Sequence, residues 1–78
     1  MNWEHAINAA ERLGFSVLLR NMDVEAISLP IFNRTITIAS PEQAAQVAES
    51  MAQGRNAIYY DPQNLLDPAL VNQMVVLG

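Results

Sequence analysis

The chain has 78 residues, 51% of them apolar and only 15% charged, with no cysteine. That composition excludes intrinsic disorder, a second domain of ordinary size, and any disulfide or thiolate zinc site that could staple the fold. The net charge of −4 sets eight acids against four scattered arginines and no lysine. This removes the basic cluster that nucleic acids and anionic membrane surfaces both require. No apolar run reaches the ~18 residues of a membrane span. Met1-Asn2-Trp3-Glu4 has neither the basic start nor the apolar stretch of a secretion signal. The expectation is one globular domain over residues 1–78, located in the cytoplasm.

The first segment reads as a helix from Trp3 to Leu13. Trp3, Ala6, Ile7, Ala10 and Leu13 recur at helical spacing, Asn2 is placed to cap the start, and Gly14-Phe15 is a left-handed stop. From Phe15 the period falls to two. Phe15, Val17 and Leu19 alternate with Ser16, Leu18 and Arg20, and Asn21-Met22-Asp23 reads as a hairpin turn into a second strand over 24–29. Pro30 then marks a bulge, an edge or a strand end. After a turn at Asn33-Arg34, Thr35-Ile36-Thr37-Ile38 alternates as a third strand, isoleucines inward.

Ser40-Pro41-Glu42-Gln43 is a helix start. The Ser40 hydroxyl can accept an amide near Gln43, the Gln43 side chain can return to the Ser40 amide, and Pro41 sits where a missing N–H costs nothing. The helix spans 41–53, with Ala44, Val47, Ala48, Met51 and Ala52 as its buried stripe and Gly54 as its stop. Ala57 to Tyr60 is the next strand, so 35–39, 41–53 and 57–60 form a βαβ unit with parallel strands. Asp61-Pro62 and Asp67-Pro68 each carry an N-cap and first-turn proline. They predict a single turn at 62–66 and a helix from Pro68 to about Val75. The resulting order is α-β-β-β-α-β-α: an α+β domain with one layer of helices on a mixed, mostly antiparallel sheet.

Catalytic chemistry finds little support. His5 is the lone histidine and has no nucleophile in a suitable context. Asp61 and Asp67 could be imagined as a carboxylate pair or a cation site, but both precede prolines where capping already occupies them. The three glycines are isolated, so no phosphate cradle exists. Neither a cofactor nor a metal is expected.

The apolar surplus points instead to a surface for proteins. Tyr59 and Tyr60 project to opposite faces of a strand, so one of them is exposed. Met74-Val75-Val76-Leu77 is a continuous apolar run that either docks into the domain's own sheet or forms an oligomer or partner contact. Val75, Val76 and Leu77 with one tyrosine are therefore the expected patch of a two-fold homodimer. Glu25, Glu42, Glu49 and Asp61 are the acids expected to meet a basic partner. The leading expectation is a small non-enzymatic inhibitor or regulator, of the kind encoded by GC-rich bacteria or their phages, that binds and blocks a larger and plausibly nucleic-acid-handling protein complex. That expectation rests on analogy with small acidic domains as a class. The alternatives are a structural or assembly subunit with a permanent apolar interface and, behind it, a small enzyme.

Overall fold

A computed structural model describes residues 3–23 and 29–77. Helices and strands alternate along these residues: α1 (Trp3–Arg12), β1 (Val17–Leu19), α2 (Leu29–Asn33), β2 (Thr35–Thr37), α3 (Pro41–Ala52), β3 (Ile58–Tyr60), α4 (Pro68–Val71) and β4 (Val75–Leu77). The strands form one sheet in the order β2-β3-β1-β4. All three pairings are parallel, with Val17 opposite both Ile58 and Val75, and Thr35 opposite Ile58.

The mixed, mostly antiparallel sheet with a single helical layer is thus overturned. The connection from β1 to β2 crosses β3 in one direction and carries α2. The connections through α3 and α4 run the other way. Crossovers of one hand must then place α2 on one face and α3 with α4 on the other. The core is divided in that manner. Ile7 and Ala10 of α1 and Ile31 of α2 pack with Val17, Leu19 and Ile58 on the first face. Val47 of α3, Val71 of α4 and Leu66 pack with Leu18 and Tyr59 on the second.

The difference from an alternating, antiparallel sheet has a physical source. Val17, Leu18 and Leu19 are all fully buried, as a central strand covered on both faces must be. Strict alternation belongs to a sheet with one wet face, and this short run is apolar throughout. The hairpin at 21–23 fails with the alternation. Asn21 does take a left-handed backbone, with φ of 53°, but the strand over 24–29 falls mainly outside the described residues. Where the chain is described again, at Leu29, it is helical. Pro30 sits in the first turn of α2, a position as favourable to proline as a strand edge.

Other local signals hold. α1 ends at Gly14, whose φ of +82° lets the amides of Gly14 and Phe15 fold back on the carbonyls of Glu11 and Ala10. Gly54 closes α3 in the same way, with Gly54 and Arg55 donating to Met51 and Ser50. At the start of α3 the Gln43 amide donates to Ser40 Oγ at 3.3 Å. The Gln43 side chain returns one residue earlier than expected, its Oε1 accepting from the Ala39 amide at 2.7 Å. The predicted βαβ unit is present as β2-α3-β3. Ser40→Ala should lower stability by about 1 kcal/mol through loss of the cap; an unchanged denaturation midpoint would show that the cap does not hold α3.

The C-terminal apolar run resolves in favour of the domain's own sheet. α4 stops at Val71 and β4 pairs with β1, so the helix predicted to continue to about Val75 is shorter than expected. Edge strand β2 corrects the isoleucine assignment. Ile38 is buried, but Ile36 is 49% exposed, because β2 lies at the rim of the sheet, where cover is incomplete.

Candidate interaction face

Two places in this fold could receive a ligand or partner: the carboxyl end of the sheet and the helical face formed by α3 and α4. In open parallel sheets, ligands gather where the winding reverses. Here that point lies between β1 and β3, whose connections leave in opposite directions, and the residues following these strands are Arg20 and Asp61. Asp61 is 1% exposed. Its Oδ1 accepts the Leu65 amide at 2.9 Å, and its Oδ2 accepts the Leu66 amide at 3.1 Å and Arg20 Nη2 at 3.3 Å. The carboxylate is therefore consumed in holding the turn after β3. Arg20 Nε is buried and without a hydrogen-bond partner among the described residues, while 22% of the side chain remains exposed. The switch point is closed by an ion pair.

Both carboxylates are occupied by backbone amides as expected, but only Asp67 caps a helix: Asp61 closes a turn, and no helix starts at Pro62. Asp67 Oδ1 accepts the Ala69 amide at 2.8 Å and starts α4. Among the described residues no group of three or more His, Asp or Glu side chains is arranged to hold a metal ion.

The α3–α4 face is different. α3 was expected to bury Ala44, Val47, Ala48, Met51 and Ala52. Only Val47 is buried; Ala44 and Met51 are half-buried, while Ala48 and Ala52 are exposed. The second wall is short because α4 has only four residues. Alanine side chains on α3 cannot reach across to it. An open groove of about 410 Å³ remains, lined by Ala44, Ala45 and Ala48 on one side and by Leu65, Asp67, Ala69, Leu70 and Gln73 on the other. Ala48 and Ala52, expected in the buried stripe, leave the face uncovered instead. The sequence carried half of the signal, the small residues Ala44, Ala45 and Ala48 on α3; that α4 is only four residues long is a finding of the structure.

The residues expected at an interface are dispersed. Glu42 and Glu49 are exposed on α3. Asp61 is buried and internally paired, so it cannot meet a partner. Glu25 lies outside the described residues. Tyr59 is buried against the α3–α4 face of the sheet, and this burial raises its phenol above the ordinary value of 10.0. Tyr60 is half-buried and packs on the α1–α2 side. Val75 and Leu77 turn toward that same inner cluster, which leaves Val76, at 46% exposure, as the open member of the run. Leu13, expected in the α1 stripe, is 74% exposed beyond the end of the helix. The proposed dimer patch is therefore not a single surface.

The fold and this face define a small three-layer domain, doubly wound around a parallel sheet, with its switch point sealed and one helical face open. No family model, curated protein or solved structure matches the chain. No helix among the described residues is long and apolar enough to cross a membrane.

Proposed function

We propose that this is a non-enzymatic binding protein of the cytoplasm that engages a larger protein through its α3–α4 face and regulates or blocks it. The observation that carries the reading is the uncovered groove on α3, where Ala48 of the expected apolar stripe and the neighbouring Ala45 are left in solvent. Grooves of this kind between helices receive partner side chains. Asp61 and Asp67, the two carboxylates that could be imagined as an acid–base pair, are instead occupied by backbone amides. An assembly subunit is the second reading. It is favoured by Ile36 and Val76, each about half exposed and placed at the two open edges of the sheet.

A paired capture experiment tests the first reading. Wild-type protein, Ala48→Trp and Ala9→Trp are used as bait, the last placing the same bulk on an exposed alanine of α1. A partner should be retained by wild type and Ala9→Trp and lost at least tenfold with Ala48→Trp. Equal retention by all three would place the interface elsewhere.

A further inference from the structure

We infer that the occupant of the α3–α4 groove is a cationic amphipathic helix of the partner, with a narrow apolar face on the alanines and lysines or arginines along its flanks. The inference rests on the groove being the docking face. Its first ground is the segregation of charge. From Pro41 to Gly54 and from Asp61 to Leu77 the chain contains no lysine, arginine or histidine. The acids in these stretches are Glu42, Glu49, Asp61 and Asp67. With Asp61 buried, the charge that this face presents is wholly negative.

The placement of the acids follows from helix geometry. Glu42 and Glu49 lie three residues before and four residues after Ala45, so all three are neighbours on one strip of α3. Asp67 stands in the opposite wall. Negative charge thus borders the apolar floor on both sides. The arginines are held elsewhere: Arg34 pairs with Glu11 and Asn8 of α1, Arg20 pairs with Asp61, Arg12 ends α1, and Arg55 follows the stop of α3.

The same pattern excludes other occupants. A two-fold contact through this face would set Glu42, Glu49 and Asp67 of one copy against those of the other, and juxtaposed like charges are costly. Phosphates of nucleic acid or lipid headgroups meet the same repulsion. A small polar ligand would find only Asp67 and Gln73 to orient it, without the convergent donors of a built pocket. A helix with a narrow apolar stripe suits a floor of alanines, because small residues let backbones approach closely, and basic flanks answer the acidic walls.

Three synthetic helical peptides with one shared leucine–alanine face, and polar faces of lysine, glutamine or glutamate, test this against the full-length protein by NMR titration. The lysine peptide should move the amide signals of Ala44, Ala45, Ala48, Ala69 and Leu70. It should bind about tenfold more tightly than the glutamine peptide, with an advantage that shrinks as salt is raised. The glutamate peptide should not bind. Glu42→Gln combined with Glu49→Gln should weaken the lysine peptide by about three- to tenfold. Ala48→Trp should abolish the shifts, and Ala69→Arg, on the other wall, provides a second block should the tryptophan variant unfold. Binding of the glutamine or glutamate peptide in the groove as tightly as the lysine peptide would overturn the cationic partner while leaving the docking face intact. Shifts confined to residues outside the groove would overturn the docking face itself.

Discussion

Asp61→Ala is expected to remove about 3–4 kcal/mol of folding stability, the largest effect of any single polar substitution in the described chain. The side chain is only 1% exposed, yet three donors converge on it: the Leu65 amide, the Leu66 amide and the Arg20 guanidinium. Removing it leaves buried donors without acceptors, which costs about 1–3 kcal/mol for each neutral group and more when a charged partner is abandoned. Arg20 retains partial access to water, with 22% of its side chain exposed, and that limits its share. A domain of this size has on the order of 4–12 kcal/mol in total, so the variant should melt roughly 12–32 °C below wild type. Asp61→Asn restores one acceptor but aims an amide group at donors, so it should recover only a minor part. A thermal midpoint within a few degrees of wild type for Asp61→Ala would mean that the turn after β3 is held by its apolar contacts alone.

The aspartate at position 61 also shows how far the sequence could be read. Asp-Pro at 61–62 announced a carboxylate accepting amides at the start of a turn, and that role is observed. Nothing local announced that Arg20 would lie beside it. The two are 41 residues apart, and only the parallel register that sets Leu19 opposite Tyr60 brings them together. Helix ends that carry a capping residue were the legible part: Ser40, Gly14, Gly54 and Asp67 act within a few residues of themselves, so short-range chemistry decides them, whereas the end of α4, with no glycine to mark it, comes earlier than expected. Strand pairing was the illegible part. Val17-Leu18-Leu19 is compatible with an antiparallel or a parallel neighbour until the helices that cover both of its faces are known. The open groove fell between these limits. Ala44, Ala45 and Ala48 were visible as small residues on a helix, but whether another element would close over them depended on α4 ending after one turn.

Deleting residues 75–78 is expected to unfold the domain, not simply to change its association. β4 pairs with β1 along Val75–Leu77, and the Val75 amide donates to the Ser16 carbonyl while the Arg20 amide donates to the Leu77 carbonyl. Val75 and Leu77 also pack against the cluster that contains Ile7, Val17 and Ile58. Without β4, a strand that is 0–1% exposed along its whole length would become a bare edge, and such edges invite aggregation. Far-UV circular dichroism should show loss of cooperative unfolding, with apolar dye binding in its place. Val76→Lys separates this structural role from a surface role, since Val76 is the exposed member of the strand. It should change stability by no more than about 0.5 kcal/mol and, by placing a charge at the open edge, remove any concentration dependence of the melting point that arises there. A truncated chain that stays folded and monomeric, beside a wild type that sediments as a dimer, would instead assign the apolar C-terminal run to a two-fold interface and overturn its place as the fourth strand.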